Sequence, residues 1–350
     1  MRAARSLSLL SVLVACLALV LGSTAVVQAA PAVRPAGAAS SVSVLTFNVC
    51  GHAGGCGSWS KREAAVVKRI VAGRADVVNV QEVWGVLARL EQRLAPHGYV
   101  LVASSGNEGM FAKSSKISPV TTTTIVPDCT TDRVFPQVDT SGWPEPGPYT
   151  DAAGLVWTYG GSRAGWYRLV ETCVDQVVET AKNGQMALGS RSGQAGAAWA
   201  LLRVRRTNKT YLFVSAHLST GKDKVARKRS AETSRLLAAT AAASEGRPRV
   251  FAGDFNSSIQ RGKDTVGARM RGAGLTDAYS KARSRSGAKY NSATGYGKKP
   301  RVGGSHIDRV FVPRGATASR WAMDVKVRGG KSLRPVPSDH SPVRVSLVLP

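Results

Sequence analysis

The sequence predicts an α/β or α+β fold in which strands and helices alternate around a packed core. Composition is the first observation, because 43% of the 350 residues are apolar and 6% are aromatic, as is typical of soluble globular proteins. Periodicity is the second, because short apolar runs of strand length alternate with segments whose apolar residues recur at helical spacing. A chain of this length can form one large domain or two ordinary ones.

The N-terminal residues 1–30 predict a secretory signal peptide. Arg2 and Arg5 precede an apolar run over residues 7–27, and two alanines follow at the end of the segment. We therefore expect a secreted, extracellular protein whose mature chain lacks these residues. The alternative is a lipobox that makes Cys16 a lipid-anchored N-terminus, although the apolar run continues past this cysteine. Residues 31–42, rich in Ala, Pro, Ser and Val, predict a flexible linker.

A folded domain is predicted over residues 43–350, and its first part alternates strands with helices. Ser58 can cap the first helix, and Gly73 follows that helix at the position where a glycine commonly ends one. The elements predicted here are a strand at 44–47, a helix at 58–71, a strand at 76–80, a helix at 86–94, and strands at 99–102 and 110–112.

Residues 127–166 interrupt this pattern and predict an insertion. The segment is rich in Pro, Gly and Thr, and no helical period survives in it. It is also unusually aromatic, since seven aromatic residues fall between positions 135 and 167. These side chains could form a small core of their own, stack on nucleic-acid bases, or enter a membrane interface.

After the insertion, the alternation of strands and helices resumes. A basic turn separates two adjacent strands, and a long helix follows them. The elements predicted here are strands at 197–204 and 211–216, a helix at 224–243, and strands at 249–252, 307–312 and 343–349.

Polar residues suited to catalysis lie at the ends of several predicted strands. In chain order they occur in Thr46-Phe47-Asn48, Gln81-Glu82, Ala216-His217-Leu218, Gly253-Asp254-Phe255-Asn256, Ile307-Asp308-Arg309 and Ser338-Asp339-His340. These segments, in this order, resemble the endonuclease/exonuclease/phosphatase superfamily, which includes the pancreatic-type DNases. The resemblance covers residues 43–349. It implies a four-layer sandwich of two packed mixed β-sheets flanked by helices, with the site where loops of both sheets converge.

The oxygen-rich set of side chains suits a hard divalent cation, Mg²⁺ or Mn²⁺, with Ca²⁺ as an alternative. Glu82 is the first candidate ligand. By resemblance, Asn48, Asp254 and Asp339 complete the metal site, and Asn256 donates its amide to a phosphate oxygen. A single Asp or Asn after a strand is more often a turn residue. The presence of the whole set in the family's order therefore favours a metal site.

Phosphodiester hydrolysis also needs a proton acceptor for the attacking water and a proton donor for the departing oxygen. By resemblance, His340 oriented by Asp308 is the general base, and His217 with Glu108 as its matching carboxylate is the general acid. A carboxylate partner fixes the tautomer of a histidine and favours its protonated form. Asp254, or a hydroxide held by the metal, stands as an alternative base.

Four cysteines follow the signal segment, and an even number in an exported chain predicts two disulfides. The simplest of the three connectivities pairs Cys50 with Cys56 and Cys129 with Cys173. A zinc site is the alternative, but neither pair has the close spacing of structural zinc ligands.

The formal net charge is +26, and removal of residues 1–30 takes away only Arg2 and Arg5. Such a charge favours a polyanionic partner, with nucleic acid ahead of an anionic lipid surface. Basic residues near the predicted catalytic loops support this choice: Arg203, Arg205, Arg206, Lys222, Lys224, Arg227, Lys228, Arg229, Lys298, Lys299 and Arg301.

The sequence thus predicts a secreted, monomeric, metal-dependent nuclease. A lipid head-group phosphodiesterase or phosphatase of the same superfamily, such as a sphingomyelinase-like enzyme, uses the same chemistry and is the first alternative. A catalytically silent binding or toxin-like subunit is the second. The family's abasic-site repair enzymes place an Asp two residues after the first Asn, where this chain has Cys50, and this departure argues against a repair role.

Overall fold

The structure is a computed structural model that describes residues 39–52, 55–134, 149–150, 156–159, 166–189, 195–221, 225–260, 262–297 and 299–350. All of them fall in the unit Ala38–Pro350. The predicted signal peptide and most of the predicted linker lie outside the described residues. The first strand begins at Ser40, so the last residues of the predicted linker belong to the domain instead.

The described residues form five α-helices and twenty strands. The helices are α1 (Glu63–Gly73), α2 (Leu87–Leu94), α3 (Ala226–Ala243), α4 (Thr265–Gly272) and α5 (Ala278–Lys281). The strands are β1 (Ser40–Asn48), β2 (Val77–Gln81), β3 (Tyr99–Ser104), β4 (Glu108–Lys113), β5 (Ile117–Pro119), β6 (Thr121–Val134), β7 (Tyr149–Thr150), β8 (Val156–Tyr159), β9 (Trp166–Ala181), β10 (Asn183–Ala187), β11 (Gly196–Val204), β12 (Lys209–His217), β13 (Arg249–Asp254), β14 (Leu275–Asp277), β15 (Ala282–Ser286), β16 (Asp308–Pro313), β17 (Thr317–Met323), β18 (Val327–Arg328), β19 (Lys331–Ser332) and β20 (Val343–Leu349).

Two mixed sheets form the centre of the fold. The first sheet has the order β15-β17-β20-β1-β2-β4-β3, and the second has the order β10-β11-β12-β13-β16-β14 with β5 paired to β11. One parallel pair lies in the middle of each sheet beside antiparallel neighbours, β1 with β2 in the first and β12 with β13 in the second. The middle strands are almost continuously buried, as expected of strands covered on both faces.

Three apolar clusters define four layers. One cluster lies between the sheets and joins side chains of the first sheet, such as Val44, to side chains of the second, such as Phe213. A second packs α1 and α2 on the outer face of the first sheet, with Ile70 fully buried. A third packs α3 and α4 on the outer face of the second sheet through Leu236 and Met270. The predicted four-layer sandwich is therefore confirmed.

The region predicted as an insertion contains long strands that the sequence did not indicate. β6 and β9 pair antiparallel over fourteen positions, and β8 and β7 extend this four-stranded sheet. In this ladder Cys129 is the register partner of Cys173. The predicted disulfide between them stays a prediction, because the side chains of residues 125–177 lie outside the description. Among the described residues, no helix is long and apolar enough to span a membrane.

Candidate active site

The candidate site lies at one edge of both sheets, where the predicted strand ends meet. In the second sheet His217 is the register partner of Asp254, and Asp254 is the partner of Asp308. In the first sheet Asn48 is the partner of Gln81, which precedes Glu82. Parallel neighbours bring their carboxyl ends to the same edge, and the antiparallel β16 begins there. The topology therefore brings together residues far apart in sequence.

Asp254 stands at the centre of this arrangement and is 2% exposed. Its Oδ2 lies 3.7 Å from Nε2 of His217 and 3.8 Å from Nε2 of His340. The same oxygen accepts a hydrogen bond from the Asn48 amide at 3.3 Å. Its Oδ1 accepts the backbone N–H of Asn256 at 2.9 Å, so one carboxylate oxygen shapes the turn and the other faces the site.

Asp308 orients His340, as the resemblance implied. Oδ2 of Asp308 lies 2.8 Å from Nδ1 of His340, and Asp308 is fully buried. Burial lowers the pKa of His340, but the charge of Asp308, its hydrogen bond and the charges of Asp254 and Asp339 together raise that pKa to about 10. Burial and the nearby Asp254 raise the pKa of Asp308. The pair therefore holds a proton firmly at neutral pH when no cation offsets the carboxylates.

Asp308→Asn should lower the pKa of His340. The substitution removes the charge that attracts the imidazole proton while burial continues to disfavour it, so we expect a fall of about 1–3 from the wild-type value. The measurement is an NMR titration of the histidine ring protons in excess chelator, with His340→Asn used to assign the signal. An unchanged titration of His340 would show that Asp308 does not hold its proton.

Glu82 and Asp254 are linked by the side chain of Asn48. The Asn48 amide nitrogen donates to Oε1 of Glu82 at 2.8 Å, and its oxygen accepts the backbone N–H of Cys50 at 3.0 Å. Glu82 has a φ of +56°, a left-handed conformation that is strained for a glutamate and that recurs at functional sites. In this arrangement Asn48 offers N–H groups to the carboxylates, so its role as a metal ligand stays a prediction.

The residues present fit a hard divalent cation. Single ligand atoms of Asp254, Asp308 and His340 lie within 4.8 Å of one another. Glu82 is connected to this cluster because the Asn48 amide nitrogen donates to both Glu82 and Asp254. Oδ1 of Asp308 is buried and has no hydrogen-bond partner among the described residues. Such a cluster of buried carboxylates is costly unless a positive charge balances it. The roles of Glu82 and Asp254 as metal ligands stay predictions.

Asp339 and Asn256 lie at the borders of this cluster. Oδ1 of Asp339 accepts from the Ser338 hydroxyl at 3.3 Å, and the Asp339 charge acts on His340. The side-chain amide of Asn256 donates to the carbonyl of Leu218 at 2.9 Å, which ties the Asp254 turn to the loop after His217. The metal role of Asp339 and the phosphate role of Asn256 stay predictions.

His217 contacts an asparagine that the sequence did not indicate. Nδ2 of Asn107 lies 3.4 Å from Nδ1 of His217. The other ring nitrogen, Nε2, faces Asp254. The predicted partner Glu108 is 1% exposed and accepts a hydrogen bond from the Ser105 hydroxyl. Glu108 acts on His217 through its charge, and no direct hydrogen bond joins them in the described structure.

Glu108→Gln should stabilise the folded protein at neutral pH. Burial raises the pKa of Glu108 from 4.5 to about 6, so this group's contribution to stability is present below pH 4.5 and is lost as the pH rises through 6. Glutamine removes the buried charge, and we expect a gain of about 1–2 kcal/mol at pH 7.5 that disappears below pH 4.5. Denaturant unfolding at both pH values measures it, with the exposed Glu91→Gln as the control. A less stable Glu108→Gln protein at pH 7.5 would contradict this account.

A buried arginine, also not anticipated from the sequence, joins the two chain segments that carry Asn48 and His340. Arg62 is 1% exposed and donates to the carbonyls of Val49, Cys50 and Pro337 at 3.0, 2.5 and 2.5 Å. The Ser338 hydroxyl donates to the Asn48 carbonyl at 2.7 Å and reinforces this link. Sequence reasoning missed Arg62 because an arginine between polar residues normally indicates an exposed position.

The predicted disulfide between Cys50 and Cys56 is present, with 6.2 Å between the Cα atoms. It closes the loop directly after Asn48. One oxygen of Asp339 lies within 4.8 Å of both sulfur atoms. The disulfide consumes both thiols, so this cluster is not a metal site. It borders the candidate site and restrains the loop that Arg62 also holds.

The structure corrects the predicted positions of four basic residues. Arg203, Arg205 and Arg206 lie at the opposite end of β11 and β12 from His217, because the antiparallel hairpin places its turn a full strand length away. Arg229 is 1% exposed and donates to the carbonyls of Ser219 and Gly221, so it braces the loop after His217 instead of facing solvent. Lys222, Lys224 and Lys298 lie outside the described residues.

Other basic residues do remain exposed near the site. Arg227 and Lys228 are exposed at the start of α3. Lys299 and Arg301 are exposed in a loop whose Gly295 N–H donates to the Asp339 carbonyl at 2.7 Å. The loop that carries these two cations is therefore attached directly to the segment of His340.

The sequence matches the Endonuclease/Exonuclease/phosphatase family over residues 45–340. The chain belongs to this family, whose members hydrolyse phosphoric esters and generally use divalent metals. No protein in a search of curated sequences matches the chain.

Solved structures show the same fold at low sequence identity. An endonuclease/exonuclease/phosphatase family protein from Bacteroides thetaiotaomicron is 16% identical, with a TM-score of 0.57 over 90% of this chain and 97% of that one. A mannosyl-6-phosphatase from the same organism is 17% identical, with a TM-score of 0.55 over 88% and 100%. TDP2 from D. rerio, complexed with a single-strand DNA product, is 15% identical, with a TM-score of 0.52 over 88% and 99%.

Proposed function

We propose that this protein is a secreted, divalent-metal-dependent nuclease that hydrolyses phosphodiester bonds of nucleic acids. The observation that carries the proposal is the convergence of two histidines on one buried carboxylate. Nε2 of His217 and Nε2 of His340 lie 3.7 and 3.8 Å from the same oxygen of Asp254. A proton donor and a proton acceptor thus face one place, as hydrolysis by in-line attack of water requires.

Each histidine has a distinct task in this arrangement. Nε2 of His217 faces the site, and as the imidazolium His217 can donate the Nε2 proton to the departing oxygen and become a neutral imidazole. His340 has a raised proton affinity from Asp308 and acts as the base. A base must be neutral before it can accept a proton, so the role of His340 depends on a positive charge that offsets Asp254 and Asp308.

Glu82 and Asp254 would hold the metal, and Asn48 keeps these two carboxylates in register. When bound, the cation would polarise the phosphodiester and offset the carboxylate charges that retain the His340 proton. Two other contacts do not depend on the metal. Asp308 orients His340, and the Asn256 amide holds the turn after Asp254 against the Leu218 carbonyl.

Charge supports nucleic acid as the substrate. The chain has a formal net charge of +26, and Lys299, Arg301, Arg227 and Lys228 are exposed on segments attached to the catalytic loops. Phosphate contacts of this kind give binding that weakens steeply with salt. A structurally similar protein, TDP2, is known in complex with a DNA product.

Two observations support export. The N-terminal pattern of two arginines and an apolar run is typical of a signal peptide. The structure contains the Cys50–Cys56 disulfide, and disulfides persist chiefly in oxidising compartments.

The test is product analysis with four separate substrates: plasmid DNA, RNA, sphingomyelin vesicles and mannose 6-phosphate. Each is incubated with the protein and Mg²⁺ or Mn²⁺. We expect cleavage of nucleic acid that disappears in chelator and in the His217→Ala, His340→Ala double variant. Turnover of vesicles or of the sugar phosphate without cleavage of nucleic acid would replace the nuclease proposal by a head-group or sugar phosphatase. Full activity in chelator would contradict the metal requirement.

A further inference from the structure

The turn after Glu82 presents a tryptophan to solvent. Trp84 is 63% exposed, whereas Val83 and Val86 on either side are each 1% exposed. A tryptophan carries a large apolar surface that folding ordinarily buries, and tight turns normally contain small or polar residues. Because Trp84 lies two residues after a candidate metal ligand, its exposed indole suggests that a bound ligand covers it.

The backbone holds this turn in place. The N–H of Val86 donates to the carbonyl of Val83 at 2.9 Å, and the N–H of Gly51 donates to the carbonyl of Glu82 at 2.8 Å. The chain approaches so closely at Gly51 that a Cβ there would lie 2.3 Å from the Glu82 carbonyl oxygen. The turn is thus tied to the disulfide loop, and Trp84 projects from a supported backbone.

The same turn is connected to both halves of the site. The N–H of Val83 donates at 3.2 Å to the carbonyl of Asn107, whose side chain contacts His217. Two residues of extended chain span at most about 7 Å, so the Cα of Trp84 lies within that distance of the Cα of Glu82. A group attached to a phosphate at Glu82 and Asp254 would therefore reach the indole.

We propose that Trp84 is a stacking platform for the nucleobase that flanks the scissile phosphate. The inference rests on the proposed nuclease function and specifies its substrate as a strand with an accessible base. Stacking uses the flat face common to all bases, so this subsite binds without reading sequence. It therefore favours single-stranded or locally unpaired nucleic acid, whose bases are free to leave the stack.

The surroundings of Trp84 suit a nucleotide better than a lipid. His52 is exposed, and its ring packs against Gly85, where a Cβ would lie 3.0 Å from the imidazole. A polar ring beside this turn matches the sugar and phosphate that accompany a base. A membrane contact instead needs an apolar face built from several side chains. Within this turn the other large apolar residues, Val83 and Val86, are buried.

The test compares two substrates with the same backbone: an oligothymidylate, and an oligomer of equal length in which abasic tetrahydrofuran residues replace the nucleosides. We expect Trp84→Leu to raise KM for the oligothymidylate about tenfold with little change in kcat. Kinetics on the abasic oligomer should be unchanged. Trp84→Phe keeps an aromatic face and should remain close to the wild type. Circular dichroism confirms that each variant is folded.

The outcomes separate this inference from the function on which it rests. Cleavage of oligothymidylate by the wild type with equal KM in Trp84→Leu would overturn the stacking role and leave the nuclease proposal intact. An equal rise in KM for the abasic oligomer would also overturn it, because the indole would then contact the backbone. No cleavage of either oligomer by a wild-type protein that cleaves plasmid DNA or RNA would overturn the stacking inference alone, whereas no cleavage of any of these nucleic acids would overturn both proposals. Loss of activity only on sphingomyelin vesicles would assign Trp84 to a lipid surface instead.

Discussion

Asp254→Asn should reduce turnover of a nucleic-acid substrate by at least about 10³-fold. The variant keeps an oxygen at Oδ1 for the Asn256 N–H, so the turn after β13 can still form. At Oδ2, however, an amide would replace the charge that faces His217, His340 and Asn48. All three neighbours present nitrogen atoms, and the substitution also removes one of the two carboxylates proposed to hold a cation.

The experiment measures kcat and KM of Asp254→Asn and wild type at several Mg²⁺ and Mn²⁺ concentrations. Asp324→Asn is the matched control, since Asp324 forms a surface ion pair with Arg69 at 2.8 Å. We expect the control to keep its activity and both variants to retain the wild-type circular dichroism spectrum. Retention of more than about a tenth of the activity by Asp254→Asn would exclude Asp254 from the centre of the chemistry.

Arg309→Leu should destabilise the fold by about 3–5 kcal/mol. Arg309 is 2% exposed and makes charged hydrogen bonds to Asp264 at 2.8 and 3.1 Å and to Asp277 at 2.7 Å. The two carboxylates also form the N-terminal caps of α4 and α5. Removal of the guanidinium leaves two largely buried carboxylates, those of Asp264 and Asp277, without their counter-charge, and such a loss costs far more than the pair itself contributes.

Denaturant unfolding at pH 7 gives the loss, and Arg69→Ala is the control. The Arg69–Asp324 pair is more exposed, so its loss should cost less than about 1 kcal/mol. Burial raises the pKa of Asp264, but the opposing effect of Arg309 is larger, so the pKa of Asp264 lies below its ordinary value. This contribution is present above the unfolded pKa and is lost as the pH falls through the folded one. Equal stability of Arg309→Leu and Arg69→Ala would show that the buried network is not needed.

Most of the fold could be predicted because its central strands follow simple rules. Buried parallel strands are continuous apolar runs, and the polar residues that follow them, such as Glu82 and Asp254, meet where the strands end. The edge strand β15 could not be predicted in this way. Four of its five residues are exposed, so it carries no apolar pattern. The long β6 contains a proline and many threonines, and it has no alternation of apolar and polar residues to mark it.

The parts of the site that the sequence did not reveal depend on contacts between distant segments. Asn107 looks like an ordinary loop residue until the structure brings it to His217. Arg62 and Arg309 look like surface charges, and only packing shows that they are buried and hydrogen-bonded. The sequence indicates which residues can do chemistry. The residues that hold them in position can be recognised only from their contacts in the folded chain.

The pairing of β1 with β20 has a consequence for when the enzyme can become active. Ser40 is the register partner of Leu349, so the strand that carries Asn48 completes its place in the sheet only beside β20, which follows all the other strands in sequence. Contacts between such distant parts of a chain form slowly. A polypeptide that lacks β20 therefore contains the proposed catalytic side chains without the strand that completes the sheet beside the segment of Asn48, and we expect it to be inactive.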